Sequence, residues 1–305
     1  MLVVQLIGPG GRLQRRPGVY LLGRSGMGEL DGRVAFITGA SRGIGRAIAM
    51  RFAAEGAAVV LCASRLGAHG ELEGTLQGTV DAIVSTGGRA APLACDLSDP
   101  DARSDLIARA SEHFGAVDVL VNNAARADYE LPSMNASSSR NRVFDLNVNV
   151  PIELLQQALP GMREKGGGWC LNISSRTAER VEPPYPDSKM AAHVIGPYGA
   201  SKAALNRYTQ ALADELADEN IFVNALAPNN IVLTSVGEAV EAIARRRPDM
   251  VEPVEMMAEA ALELCTARHV GEVVYSRNIV HATGRELHDL SGRNVIGDAF
   301  TPVGL

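Results

Sequence analysis

Two tyrosines precede a lysine by four residues within one stretch, YPDSKMAAHVIGPYGASK (185–202): Tyr185 with Lys189, and Tyr198 with Lys202. A tyrosine hydroxyl, with its pKa near ~10, exchanges a proton at neutral pH only when a neighbouring cation steadies the phenolate. Residues i and i+4 share one helix face, so a helical Tyr-x-x-x-Lys sets an ammonium beside a phenol and makes a general acid and base. Pro186 lacks an N–H and biases Tyr185 away from helical dihedrals, which disqualifies the first pair. Tyr198 opens onto Gly-Ala-Ser-Lys and a long amphipathic run, so Tyr198 and Lys202 are the expected acid/base pair. The small residues between them would let a ligand approach closely. His193 lies nearby and reads as a loop or core histidine.

The elements that must hold this pair alternate. From Gly32 short apolar runs (RVAFITGA, AAVVLCAS, AAPLACDL, VDVLVNNAA, GWCLNISS, IFVNALAP) are separated by longer amphipathic ones, and GEVVYSRNIV reads as a last strand. PDARSDLIARASEHFG reads as one helix, as does the stretch from Ser139 to Met162. Strands buried on both faces and joined by helices form a parallel sheet covered on both sides, so the expected fold is α/β, a single-domain doubly wound sheet of about seven strands. The expected division is residues 1–28 as a disordered or loosely packed tail, 29–290 as the domain, and 291–305 as a C-terminal tail. The first 28 residues hold seven glycines, two prolines and four arginines, and Met27 is a candidate natural start.

Composition excludes several classes. At 46% hydrophobic, 21% charged and net charge -6, the chain gives no support to nucleic-acid or anionic-membrane binding, and no apolar stretch is long enough to span a bilayer. Cys62, Cys95, Cys170 and Cys265 are widely spaced and sit in apolar runs, as buried thiols of a cytoplasmic protein do; no metal is expected.

ITGASRGIG places Gly39, Gly43 and Gly45 between the first strand and its helix, where glycines allow a tight turn and a phosphate can approach the helix N-terminus. Here the sequence resembles the short-chain dehydrogenase/reductase family in its classical form, in which TGxxxGxG marks the cofactor turn. The resemblance runs from about Leu30 to Ile279 through TGASRGIG (38–45), CDL (95–97), NNAA (122–125), Asn147, ISS (173–175), YGASK (198–202) and VNALAP (223–228), in the family's order. It implies a Rossmann-type fold and an NAD(P)-dependent oxidoreductase acting on CH–OH groups. Ser41, Arg42 and Ile44, with the three glycines, would line the phosphates. Asp96 with Leu97 would hold the adenine, Asn123, Ala124 and Ala125 would lie beside the adenosine ribose, and Lys202 would bind the nicotinamide ribose next to Tyr198. Pro228 and Ile231 would complete the cofactor site. By the same resemblance Ser175, rather than Ser174, holds the substrate oxygen, and Asn147, rather than Asn149, anchors a water of the proton relay. Duller readings stay open: Asp96 as an N-cap, Asn122 and Asn123 as turn-satisfying amides.

Charge speaks to the choice of cofactor. An acid at the end of the second strand would bind an adenosine 2'-OH and repel a 2'-phosphate, but Ala63 and Ser64 stand there, Arg65 follows, and Arg42 lies in the glycine turn. Two guanidinium groups suit a phosphate dianion, so NADP(H) is expected to be preferred, with NAD(H) as the alternative and Arg65 as a solvated charge if so.

The chain departs from the family at three places. Residues 176–197, between Ser175 and Tyr198, are longer than usual and read as a substrate wall or lid, or as a loop packed on a neighbouring subunit. Pro228-Asn229-Asn230 replaces the usual Pro-Gly, with Asn229 either adopting glycine's left-handed backbone or altering nicotinamide contacts. The long loop LGAHGELEGTL (66–76) resembles the subgroup of hydroxysteroid-dehydrogenase-like proteins and citronellol dehydrogenases, which points to an apolar carbonyl or alcohol substrate. The leading expectation is an enzyme interconverting a secondary alcohol and a ketone; the alternatives are a 3-oxoacyl carrier-protein or CoA reductase and an NADPH-binding scaffold without turnover. The resemblance also implies a homo-oligomer, dimer or tetramer, joined through the helices at 139–162 and 200–218.

Overall fold

The computed structural model describes residues 28–68, 74–184, 193–232, 234, 245–246, 248 and 251–298; Met27, Tyr185 and Lys189 lie outside them. Nine strands occur among these residues. In chain order they are interleaved with helices as β1 (Val34–Thr38), α1 (Gly43–Ala54), β2 (Ala58–Ala63), α2 (Leu76–Ser85), β3 (Arg89–Ala94), α3 (Pro100–Arg103), α4 (Leu106–Phe114), β4 (Val119–Asn122), α5 (Ser137–Phe144), α6 (Val150–Glu164) and β5 (Gly168–Ile173). There follow α7 (Gly196–Leu216), β6 (Ile221–Ala227), β7 (Ile231–Val232), β8 (Val251–Glu252), α8 (Val254–Thr266), β9 (Val273–Tyr275) and α9 (Ser276–Thr283).

Seven strands form one parallel sheet in the order β3-β2-β1-β4-β5-β6-β9, and β7 pairs with β8 in a separate two-stranded ribbon. The alternation that a strand imposes divides its apolar residues between two cores. Ala35 and Ile37 of β1 pack with Val119 and Val121 of β4 under α1 and α8, while Phe36 and Leu120 face the opposite cluster under α4, α6 and α7. Burying a side chain such as Phe36 or Ile37 contributes about 1.5–3 kcal/mol, which is why strands this short hold. The order reverses between β1 and β4, and the crevice at the carboxyl ends of these strands is where doubly wound sheets bind ligands.

Three elements differ from the sequence expectation. The last strand stops at Tyr275, and SRNIV begins α9, whose Ile279 and Val280 are buried as a helical pair rather than on alternate strand faces. PDARSDLIARASEHFG divides at Ser104 and Asp105 into α3 and α4. The helix expected from Ser139 to Met162 starts at Ser137, ends at Glu164, and is interrupted by a π-helical turn at Asp145–Asn149. Beyond residue 290 the chain still packs: Asp298 pairs with Arg277 at 2.9 Å.

A buried ionic cluster ties the first helix to the end of the chain. Arg51 of α1 bonds Glu259 of α8 at 2.8 Å and also pairs with Glu55; the other Glu259 oxygen receives Arg285 at 3.0 Å. Neither Arg51 nor Glu259 reaches solvent, so each requires the other. The four cysteines are free and buried, and burial raises the Cys62, Cys170 and Cys265 thiols above their ordinary range.

Candidate active site

The glycine turn leaves β1 with Gly39 at φ 64° and Gly43 at φ 61°, a left-handed backbone that favours glycine. Gly45 is required for a different reason: a Cβ there would lie 2.5 Å from both the Gly39 carbonyl and Asn123 Nδ2. Asn123 clamps the turn by donating from Nδ2 to the carbonyls of Thr38 (2.9 Å) and Gly39 (3.1 Å). Thr38 Oγ1 in turn accepts from the N–H groups of Asn123 and Ala124, both at 3.0 Å. The Asn123 side chain is therefore engaged with turn backbone, and Asn122 is buried with its amide on Asn172 Oδ1 at 2.9 Å.

Arg42 is the N-cap residue of α1 and uses no side-chain cap; no acid occupies the first turn, so the dipole and free N–H groups of this end suit an anion. Ser41 is braced through its carbonyl by Thr79 Oγ1 at 3.3 Å, and Ile44 and Gly45 begin the helix. Ser64 and Arg65 are exposed just past β2, and neither Arg42 nor Arg65 forms an ion pair among the described residues. Asp96 is exposed beyond β3 and Leu97 beside it is buried; Asp96 Oδ1 accepts from Ser98 N (3.0 Å) and Oγ (2.7 Å). The cap of α3 is Asp99, which accepts from Asp101 and Ala102, so the N-cap reading of Asp96 does not hold. Ala124 and Ala125 follow β4 toward the same edge.

The reaction centre lies at the ends of β5 and α7. Pro197 sits in the first turn of α7, where its fixed φ suits a helix start, and Tyr198 and Lys202 fall one turn apart as the spacing requires. The Tyr198 phenol lies close enough to the Ser175 side chain for the serine to favour its ionised form. Ser174 turns the other way and donates to Asn206 Oδ1 at 2.6 Å, which separates the two serines. Ser175 Oγ also accepts from Thr177 Oγ1 at 2.9 Å. Gly199 answers to packing: a Cβ there would stand 2.2 Å from the Thr177 carbonyl.

The electrostatics run against the simplest expectation. Burial pushes Tyr198 up to about 12, and the neighbouring Tyr129 adds to the rise, while burial alone pulls Lys202 down to about 8. Lys202 Nζ stands 5.7 Å from the Tyr198 ring centroid and donates to the Ile173 carbonyl at 2.7 Å. Desolvation dominates both groups.

Asn147 lies in the π-helical turn and is fully buried, whereas Asn149 is exposed and bonds Asp145. Asn147 Oδ1 accepts from Arg126 N, and Nδ2 donates to Arg126 O and to Ser201 Oγ, each at 2.9 Å. Ser201 Oγ donates to the Tyr198 carbonyl at 2.7 Å. Asn147 thus fastens the chain after β4 to the first turn of α7. Ser201 is the missing link that sequence reasoning passed over, although its place between Tyr198 and Lys202 was a signal.

After β6, Pro228, Asn229, Asn230 and Ile231 are half-buried. Asn229 does not take glycine's left-handed backbone; Asn220, at φ 57°, is the described non-glycine residue with positive φ. Instead the Asn229 side chain bonds the start of α9, with Oδ1 accepting from Arg277 N at 2.7 Å. Arg176, next to Ser175, donates to the Asn229 carbonyl at 3.1 Å.

Residues 33–243 match the family model described as short chain dehydrogenase, and the chain belongs to that family. It is an NAD(P)-dependent oxidoreductase acting on CH–OH groups. Bovine (Bos taurus) hydroxysteroid dehydrogenase-like protein 2 is 33% identical over 243 residues, 77% of this chain and 53% of that one. A solved 7α-hydroxysteroid dehydrogenase complexed with NADH and 7-oxo glycochenodeoxycholic acid is 31% identical, with a TM-score of 0.69 over 81% of this chain and 93% of its own. A 3-oxoacyl (acyl-carrier-protein) reductase from Agrobacterium tumefaciens C58 with NADP bound is 30% identical, with a TM-score of 0.68 over 81% and 93%. No helix among the described residues is long and apolar enough to cross a membrane.

Proposed function

We propose that the protein interconverts a secondary alcohol and a ketone, preferring NADP(H) to NAD(H). The observation that carries this reading is the phenol of Tyr198 beside Ser175, one turn from a buried Lys202, at the same sheet edge as a glycine turn where a Cβ at Gly45 would clash. The residues fit the cofactor: the glycine turn and α1 N-terminus would take the pyrophosphate, Arg42 and Arg65 a 2'-phosphate, Asp96 the adenine, and Lys202 the nicotinamide ribose. Bound there, a reduced nicotinamide supplies the hydride. Ser175 holds the substrate oxygen, Tyr198 Oη gives it the proton as the carbonyl carbon becomes tetrahedral, and the Lys202 charge steadies the phenolate left behind. In the oxidative direction the same phenolate takes the proton back.

Tyr129 is 65% exposed and close enough to Tyr198 to affect its ionisation, so it supplies an aromatic wall for an apolar substrate. A cytoplasmic homo-oligomer is part of the same reading, with α5, α6 and α7 as the joining surface; Tyr208 of α7 is 51% exposed and available to it.

The experiment is a screen of ketones, aldehydes, hydroxysteroids and 3-oxoacyl thioesters with NADPH and NADH, repeated with Tyr198→Phe. Turnover of a ketone that vanishes in Tyr198→Phe, with cofactor binding retained, supports the reading. Turnover only of thioesters selects the 3-oxoacyl alternative, and no turnover with any class returns the protein to a cofactor-binding scaffold.

A further inference from the structure

The segment after β6 runs between the two halves of the site. At one end the Asn229 carbonyl takes a hydrogen bond from Arg176, beside Ser175; at the other, Thr234 Oγ1 would lie 3.2 Å from a Cβ at Gly43 of the glycine turn. A dinucleotide reaching from the glycine turn to Tyr198 must pass along it. What fixes the backbone of this segment is therefore a question about cofactor binding, and the residues that do so carry no family motif.

Glu252 is the centre of that arrangement. It is buried, 1% exposed, on β8, and the pairing of β8 with β7 sets it opposite Val232. Its Oε1 accepts from Ser276 Oγ at 2.7 Å, and the N–H groups of Asn229 and Asn230 favour its charged form. Oε2 is buried and lacks a well-formed hydrogen bond among the described residues. Ser276 Oγ has one proton, and the carboxylate at 2.7 Å claims it ahead of Asn229 Oδ1 at 3.4 Å; the same oxygen then accepts from Asn229 N at 3.2 Å. Asn229 Oδ1 is left to accept from Arg277 N at 2.7 Å, and its Nδ2 donates to Asn278 Oδ1 at 3.1 Å.

A carboxylate suits this place because the polar groups that favour its charge, the Ser276 hydroxyl, the Arg277 guanidinium and the N–H groups of Asn229 and Asn230, are donors. A glutamine would offer one acceptor and bring an NH2 against N–H groups. Burial pushes the Glu252 carboxyl up to about 7, with Ser276, Arg277 and the two N–H groups pulling the other way, so keeping a carboxylate here costs stability.

We infer that Glu252, acting with Ser276, is a positioning residue for the cofactor: it sets the backbone of residues 229–231, taking over the part of the glycine that the Pro-Asn-Asn sequence lacks. This rests on the reading of the site as a nicotinamide-dinucleotide site.

The test uses the full-length protein, wild type beside Glu252→Gln and Ser276→Ala. NADPH and NADH are titrated directly by fluorescence, hydrogen exchange is followed at the amides of 229–232 and of the glycine turn without ligand, and steady-state kinetics and melting are measured on the same samples. The expected result is a Kd raised about tenfold or more for the preferred dinucleotide, as loss of a charge-assisted hydrogen bond gives. KM for the dinucleotide should rise with it while kcat changes less than about threefold. Exchange should quicken at 229–232 and stay unchanged at 39–45. Wild-type Kd and exchange in both variants would overturn the inference, as would a fall in melting temperature alone, which marks a plain structural prop. Should Glu252→Gln not fold, Ser276→Ala carries the same readouts. A wild-type protein that binds neither dinucleotide defeats the reading of the site instead, and exchange at 229–232 then still decides whether Glu252 shapes the segment.

Discussion

Lys202 Nζ spends its best hydrogen bond on the Ile173 carbonyl, 2.7 Å away at the end of β5, although Tyr198 stands only one helical turn before it. A buried ammonium whose hydrogen-bond partner among the described residues is one backbone oxygen is a costly group, and its desolvation lowers its pKa to about 8. With the folded value below the unfolded one, near 10.5, the penalty is fully present below pH 8 and fades as pH rises from 8 to 10.5. Lys202→Met should abolish turnover, yet melt no lower than wild type at pH 7, and melting scans in that window should show the wild type gaining on the variant. A variant clearly less stable than wild type at pH 7 would contradict the desolvation argument.

The same protonation should shape the rate. Lys202 must be charged to steady a Tyr198 phenolate, so ketone reduction should decline as pH rises through about 8. The pH dependence of kcat/KM for reduction checks this, and a flat profile to pH 10 would refute it.

Ser201 joins Asn147 to the Tyr198 carbonyl with two hydrogen bonds, of 2.9 and 2.7 Å. Ser201→Ala should cost about 1–2 kcal/mol, because it strips a buried amide of one partner. Its kcat should fall severalfold even well below the melting temperature, since the first turn of α7 loses its strut. Unchanged kcat with lowered stability would leave Ser201 a packing residue.

Gly45→Ala sets helix propensity against sterics. Alanine is better than glycine in a helix by about 1 kcal/mol, but its Cβ would meet the Gly39 carbonyl and Asn123 amide at 2.5 Å. The clash with backbone should win, lowering stability by about 1–3 kcal/mol and weakening dinucleotide binding, as melting and titration would show.

Arg65→Ala should lower kcat/KM for NADPH by about tenfold or more and leave NADH within about threefold, because a phosphate contact would be lost while Arg65 forms no ion pair among the described residues. Equal losses for both cofactors would assign Arg65 to general electrostatics.

Much of this site was legible because its chemistry demands local patterns. The buried strand VAFIT reads as a continuous apolar run, the glycines of the turn are forced by backbone geometry, and Tyr198 with Lys202 needs only a helix to meet. What was not legible depends on distant partners. Glu252 is one of two acids in VEPVE, and nothing local says that a two-residue strand pairing will bury it rather than Glu255. SRNIV looked like strand because Ile279 and Val280 are apolar, whereas Asn229, many residues upstream, caps it as helix. The π-helical turn that carries Asn147 inward leaves no trace in an apolar periodicity read as one regular helix. Gly199 was read for closeness to ligand, and its true neighbour is the Thr177 carbonyl.

The cluster of Arg51, Glu259 and Arg285 also sets a timetable. Arg51 belongs to the helix that carries the glycine turn, and while Glu55 lies at the end of the same helix, the fully buried partner Glu259 lies 208 residues later. At a ribosomal rate of about 5–20 residues per second, Arg51 waits roughly 10–40 s for its partner. The nascent nucleotide-binding half therefore emerges with Arg51 paired to Glu55 alone, and its first helix gains its second, buried carboxylate only when α8 arrives. A chain cut short before Glu259 should be kept soluble by chaperones rather than by its own core.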